Sequence, residues 1–255
     1  MIRTGADHWL IDAGLSTREI TTRLKEYQLM PRDLSGIWIT HEHWDHIRGL
    51  SGLSRQTEAP VYISQRSRGA AEISIPQERL VDIHAGQELS VGAVTVRICA
   101  KSHDALDPFF FTFGYKNMAV SVITDLGRAD EETIAAVRAS DALILEANHD
   151  IDMLRRGPYP VFLKRRVAGD HGHLSNQQAA DLLARAASPR LRQVLLAHIS
   201  RQNNTPSSAL ATVKRGLSPW PGSPPQLCAA PHQGGTRPIR ICTESAATKR
   251  LFPLP

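Results

Sequence analysis

Between Trp38 and Leu50 the chain reads WITHEHWDHIRGL, with three histidines and two acids within six positions, behind an apolar run and just before Gly49. At a strand end or in a tight loop, alternate side chains point to one side. His41 and His43 can then share one metal ion, while Asp45 and His46, one turn further on, face a second. Imidazole suits zinc and similar first-row ions, and a carboxylate adds a harder ligand. The bland alternative is a solvated helix start with Asp45 as its cap and the histidines exposed. A lone His-x-His reads that way, but His-x-His-x-Asp-His directly after an apolar strand points to metal binding.

The elements that must position these residues alternate between short apolar runs and amphipathic segments. HWLIDAG reads as a strand entering a turn, and STREITTRLKEY as a helix, with Ser16 and Glu19 at capping-box spacing and Ile20, Leu24 and Tyr27 at helical period. SGIWIT and PVYIS are short strands, and QRSRGAAEI a short helix. VGAVTVRICA alternates like a half-buried strand, and FFFTFGYKNMAVSVIT reads as a hairpin turning at YKNM. DEETIAAVRA is a helix capped by Asp130, and DALILEA a buried strand. LSNQQAADLLARAA is a helix with Ser175 and Gln178 in the capping-box positions. RQVLLAH is a strand, and TPSSALATVKRG a helix with Thr205 as cap, Pro206 at its first position and Gly216 at its end. Residues 218–238 turn rich in Pro, Gly and Ser and read as loop, with short strands at QLCAA and PIRIC.

Several strands end in a histidine or aspartate: His41 after WIT, His103 after RICAKS, Asp125 after SVIT and His198 after LLA. Strand ends of an open α/β sheet converge on one edge, where such folds place ligand sites. Residues far apart in sequence can therefore meet there.

With 255 residues, 42% hydrophobic and 22% charged, the composition is that of a globular protein able to bury a sizeable core. The net charge of +5 fits an anionic substrate without requiring one. The three cysteines, Cys99, Cys228 and Cys242, are an odd number without C-x-x-C spacing, which argues against a disulfide framework. No apolar run approaches the roughly 18 residues of a membrane helix. MIRTGADHWL lacks the positive-then-apolar order of a signal peptide, so a cytoplasmic protein is the expectation.

THEHWDH resembles the signature of the metallo-β-lactamase fold. LIDAGLS, THEHWDHIRGL, SHDALDPFFFTF, TDLG, DALILEANHDIDML, GPYPVFLKRR, GHLSN and LAHISRQNNTP follow in an order similar to the YycJ/WalJ branch of that superfamily, which is related to RNase Z-like phosphodiesterases. The match runs from about Leu10 to Pro206 and, more loosely, to a closing strand near LCAAPHQGGTRPIRIC. The resemblance implies an α/β chain folded as a four-layer αββα sandwich, one domain over residues 1–255 with a closing strand and tail over 239–255.

It implies a first metal held by His41, His43 and His103, a second held by Asp45, His46 and His198, and Asp125 bridging the two. His173 of GHLSN is the candidate to stabilise phosphoryl oxygens or protonate a leaving group. His149 is a weaker candidate for the same cleft, while His8, His84, His171 and His232 match no ligand position. Two divalent ions, zinc or else manganese, roughly 3.5–4 Å apart can hold a bridging hydroxide and clamp the attacking and leaving oxygens of an in-line displacement. Asp45 can orient that water while holding its metal.

Lys164, Arg165 and Arg166 form a cationic patch suited to phosphates. The implied activity is a metal-dependent phosphodiesterase acting on nucleic acid, namely a DNA exonuclease cutting from the 5′ end. A hydrolase of a small phosphodiester or thioester could use the same metals, and a metal-binding structural or regulatory protein without turnover ranks last.

Members of the branch begin with a strand and a Gly/Ser-rich turn that would precede MIRTGADHWLIDAG. The expectation is therefore that the first sheet lacks its first N-terminal strand, that HWLIDA loses a neighbour, and that the natural start lies upstream.

Overall fold

The computed structural model describes residues 1–241 apart from Ala187, Pro219 and Pro221. Among the described residues two sheets face each other. The first is ordered β1 (Ile2–Thr4), β2 (Asp7–Ile11), β3 (Gly36–Trp38), β4 (Val61–Ile63), β5 (Leu80–Asp82), antiparallel between β1 and β2 and parallel thereafter. The second contains β6 (Glu88–Val91), β7 (Val94–Ala100), β8 (Phe109–Tyr115) and β9 (Met118–Ile123) as an antiparallel meander. It continues in parallel through β10 (Ala142–Glu146), β11 (Gln193–Ala197) and β12 (Gln226–Ala229). Because β7 and β9 are each antiparallel to β8, the strands β7, β9, β10 and β11 all end on the same edge.

Helices cover the outer faces. On the first sheet α1 (Thr17–Glu26) has its Ser16–Glu19 capping box, followed by α2 (Trp44–Ile47), α3 (Leu50–Ser54) and α4 (Gln65–Ala70). On the second lie α5 (Glu131–Ala139), α8 (Asn176–Arg185) and α9 (Pro206–Gly216), capped by Asp130, Ser175 and Thr205, while α6 (Ile151–Arg156) and α7 (Val161–Ala168) follow β10 in the chain.

Three apolar clusters separate these layers. Ile20, Leu24, Leu50 and Leu53 pack on Ile37 and Val61 outside the first sheet. Ile134, Leu183 and Val213 pack on Leu143 and Val194 outside the second. Between the sheets, Trp38 stacks on Tyr62 with ring centroids 3.7 Å apart and meets Phe111 and Phe113 edge-on at 5.6 and 5.7 Å. Such a packed aromatic cluster carries about 3–5 kcal/mol per large side chain removed. The result is the αββα sandwich.

The structure departs from the expectations at three points: the neighbour of HWLIDA, the length of the QRSRGAAEI helix and the PIRIC strand. β2 is paired on both sides, because the turn at Gly5 (φ +62°) folds β1 back along it and Trp9 Nε1 donates to Thr4 Oγ1 at 2.9 Å. HWLIDA therefore keeps a neighbour, and β1 is the edge. The helix expected over QRSRGAAEI stops at Ala70, since Ala71 is already extended. The LKRR segment, read from sequence only as a cationic patch, is helical, as α7. The hairpin expected at YKNM is present, turning through Lys116 at φ 54°. Residues 238–241 of PIRIC form no strand, and Cys242 with the expected tail lies outside the described residues. QLCA does form β12 within the Pro-rich stretch.

Candidate metal centre

The shared edge of the two sheets carries the donors. Beyond β3 come Thr40 and His41; His43 is the N-cap of α2, and Asp45 and His46 lie in its first turn. His103, Asp125 and His198 follow β7, β9 and β11, and Asp125 and His198 take left-handed φ of 55° and 51°. Such backbone is uncommon outside glycine and concentrates at functional sites.

These side chains meet. His41 Nε2 lies 3.0 Å from His43 Nδ1, which lies 3.3 Å from His103 Nε2. On the other side, His46 Nε2 is 3.8 Å from Asp45 Oδ2 and 3.4 Å from Asp125 Oδ2. His198 Nδ1 is 3.5 Å from Asp125 Oδ1, which is 3.9 Å from His103 Nε2. His41, His43 and His103 offer donors to one point, and Asp45, His46 and His198 to another. Asp125, 2% exposed, sits between the two sets.

Four of the five donor rings are oriented from behind, His43 being the exception. His46 Nδ1 is 2.7 Å from Asp12 Oδ2, His41 Nδ1 is 2.9 Å from Thr40 Oγ1, and His103 Nδ1 is 3.2 Å from the Gly172 carbonyl. His198 Nδ1 is 2.6 Å from Glu146 Oε2, and His173 Nδ1 3.1 Å from the same oxygen. Acceptors at Nδ1 leave Nε2 of His41, His46, His103 and His198 as the metal-facing nitrogen, the arrangement in which outer partners fix the tautomer of metal-binding histidines. Asp12, at φ 57°, also accepts from Thr40 N at 2.8 Å. Gly14 lets this loop lie against α2: a Cβ there would overlap the Asp45 carbonyl.

The electrostatics match a cation. Burial and the Lys101 charge hold His41 far below its ordinary value, and burial brings His103 down to about 4, so both rings are neutral with lone pairs available. Burial opposes charge on His46 and His198 as well, but Asp12 and Asp125 push His46 up to about 10, and Asp125 with Glu146 push His198 up to about 9. Asp125 stays ionised against its burial because His198, Lys101 and His46 surround it. Its Oδ2 is nevertheless buried without a hydrogen bond, a vacancy in bonding that buried carboxylates rarely tolerate. A divalent ion held there would satisfy this oxygen, and His46 and His198 would bind it in their unprotonated form. The donor set therefore fits two divalent ions.

Three residues of the centre were missed from sequence. Glu146, fully buried, accepts from Asp125 N (2.9 Å), Leu126 N (3.3 Å) and Leu174 N (2.7 Å) besides the two imidazoles. Burial opposes its charge, yet His173 and His198 hold it down at about 2. An acid closing the apolar run ALILE was the available signal. Asp12, closing HWLI, carried the same signal. Lys101 was hidden in the strand alternation; its buried Nζ donates to Thr124 O at 2.7 Å and lies 3.9 Å from Asp125 Oδ2.

Above the donors lies a cleft of about 460 Å³ whose rim includes Trp44, Tyr159, Arg166 and His173. Trp44 is 69% exposed there, and Arg166 Nε is held 2.5 Å from Asp104 Oδ2. Of the cationic patch only Arg166 faces this cleft. His149 does not reach it; it lies on the far side of the wall that carries His173 and lines a different pocket. His8 is buried in β2, His84 and His171 are exposed, and His232 is half-buried; none belongs to a donor set, though His171 Nδ1 lies 3.2 Å from Ser102 Oγ, beside His103.

The family described as Beta-lactamase superfamily domain matches residues 8–199, a span holding every donor named above. The chain belongs to the metallo-β-lactamase superfamily. Within the superfamily it is 35% identical to exodeoxyribonuclease YycJ of Bacillus anthracis over 222 residues, covering 85% of this chain and 84% of that protein. It is 33% identical to exodeoxyribonuclease WalJ of Streptococcus pneumoniae, covering 85% and 82%. The metallo-β-lactamase fold protein YhfI from Bacillus subtilis superposes with a TM-score of 0.70 at 16% identity, over 90% of this chain and 87% of that one, which speaks for the fold.

Proposed function

We propose that this metal-dependent hydrolase is an exodeoxyribonuclease that cleaves phosphodiester bonds of DNA, working from the 5′ end, with residues 1–255 acting as one domain. The observation that carries the reading is the pair of donor sets flanking Asp125, on a chain aligned over 85% of its length with exodeoxyribonucleases. His41, His43 and His103 would hold one ion; Asp45, His46 and His198 the other; and Asp125 would bridge them. When bound, the ions would supply Lewis-acid activation of water and neutralise charge developing at phosphorus. The imidazole-rich set favours zinc, and the carboxylates admit manganese.

The protein's own groups do the rest. Asp45, with its side chain 71% exposed to the cleft, orients the attacking water and draws its proton. His173, anchored through Nδ1 on Glu146, presents Nε2 to a phosphoryl or leaving oxygen and delivers a proton there. Arg166, fixed by Asp104, meets a non-bridging phosphate oxygen. Trp44 offers an exposed face on which a terminal base stacks. That open aromatic rim favours a polynucleotide over a small phosphodiester or thioester. A cytoplasmic setting belongs to this reading, since that is where the DNA substrate is.

The test is cleavage of 5′-labelled duplex DNA by protein of measured metal content, wild type against Asp45→Ala. Metal-dependent shortening from the labelled end, lost in the variant, is the expected result. A fully metallated, folded wild type that leaves DNA intact refutes the reading and turns attention to small esters.

A further inference from the structure

We propose that a second pocket, on the opposite face of α7 from the metal cleft, binds one nucleotide unit of the DNA strand, with the base inside and the phosphate at the rim. The inference rests on the nuclease reading for its choice of ligand and on the pocket itself for its chemistry. The pocket measures about 520 Å³ and lies between α6, α7 and the start of α8, within the usual range for small-molecule sites. Its wall is shared with the metal centre, residue by residue. Arg166 and Val167 face the cleft while Arg165 and Ala168 face the pocket; Asn148 and His173 face the cleft while His149 and Ser175 face the pocket. A strand lying over α7 would touch both.

The lining separates into two chemistries. Ile151, Leu154, Val161 and Ala168 form apolar sides, which suit the faces of a base. At the floor is His149, 2% exposed, with Nδ1 buried and unpartnered. Its backbone is fixed, since Asn176 N donates to its carbonyl at 2.8 Å. Burial brings this ring down to about 4, so at neutral pH the floor carries no positive charge, which suits a base and not a phosphate. The positive charge sits at the mouth instead. Lys164 Nζ donates to the Arg155 carbonyl at 2.7 Å, Arg155 pairs with Asp152 at 2.8 Å, and the Arg165 side chain makes no hydrogen bond or ion pair among the described residues. A neutral polar floor, apolar walls and a cationic lip together describe a nucleotide.

The experiment uses metal-loaded protein and a fluorescent single strand with a phosphorothioate backbone that resists cleavage. Ala168→Trp fills the pocket, Arg165→Glu reverses its lip, and neither residue lies in the metal cleft. Each variant is expected to weaken strand binding about tenfold, while hydrolysis of bis(p-nitrophenyl) phosphate, which needs the metal centre alone, stays at the wild-type rate. Unchanged affinity in both variants overturns the proposal. If a variant loses the small-ester activity too, a photo-crosslink from 5-bromodeoxyuridine in the wild-type complex decides: adducts on the segment from Ile151 to Ala168 uphold the pocket, and adducts confined to the cleft rim overturn it. The two readings fail separately, because strand binding lost in the variants of a protein that cleaves no DNA leaves the pocket standing without the nuclease. DNA cleavage with full affinity in both variants leaves the nuclease standing without the pocket.

Discussion

Glu146 is the most demanding test of how the centre is built. One carboxylate serves five donors: Oε1 takes Leu126 N and Leu174 N, and Oε2 takes Asp125 N, His173 Nδ1 and His198 Nδ1. Glu146→Gln keeps the shape but can accept on one side only. If its oxygen stays with the imidazoles, its NH₂ faces two backbone amides, and two buried orphaned donors cost about 2–6 kcal/mol. If the amide is reversed, the NH₂ faces His198 and His173. Those rings then accept at Nδ1 and carry their proton on Nε2, which blocks the metal-facing nitrogen of His198. Loss of such an outer partner lowers metal affinity by about 10–100-fold. Thermal unfolding of the metal-free protein, paired with a competition titration against a chromophoric chelator, reads both outcomes. The variant is expected to unfold about 5–20 °C lower, or to bind its second ion at least tenfold more weakly, or both. Wild-type melting together with wild-type affinity refutes the account of Glu146 as the common anchor of Asp125, His173 and His198.

Without ions, His46 and His198, raised to about 10 and about 9, stabilise the fold fully below the ordinary histidine value near 6.5, and that stabilisation is lost as pH climbs through 9 to 10. The urea midpoint of chelated protein should therefore fall between pH 6.5 and 10, and an equal midpoint at both ends contradicts the charge assignment. Gly14→Val forces the 12–15 loop away from α2; metal content measured by elemental analysis should drop to about half, with the Asp45 side the one lost. Arg166→Ala removes the cation beside the cleft while leaving the donors untouched, so KM for DNA should rise about tenfold or more with bound metal unchanged; an unchanged KM places the phosphate elsewhere.

The strand-end positions of His41, His103, Asp125 and His198 were legible because apolar runs stop abruptly at them, and the capping residues Ser16, Asp130, Ser175 and Thr205 were legible from local spacing alone. What was not legible depends on tertiary partners. Glu146 and Asp12 look like ordinary acids at strand ends until the imidazoles they hold arrive from 52 and 34 residues away. α7 hides because none of its residues is buried, so no apolar stripe announces it. His149 sits one position past Asn148, and only the alternation of facing along the wall that includes α7 shows that neighbours in sequence serve different cavities.

Both donor sets are split between the sheets. The loop after β3 supplies His41, His43, Asp45 and His46, and the second sheet supplies His103, Asp125 and His198. Neither half owns a complete ligand set. A ribosome making this chain from its N-terminus finishes the first sheet long before β11 and His198 emerge, and until then no two-metal centre can assemble. On the proposed ligand assignment the hydrolase would be mute as a nascent chain, surrounded though it is by nucleic acid, and a nick that frees either sheet would silence it again. The division of ligands between the layers acts as a safety catch that releases only when the whole sandwich has closed.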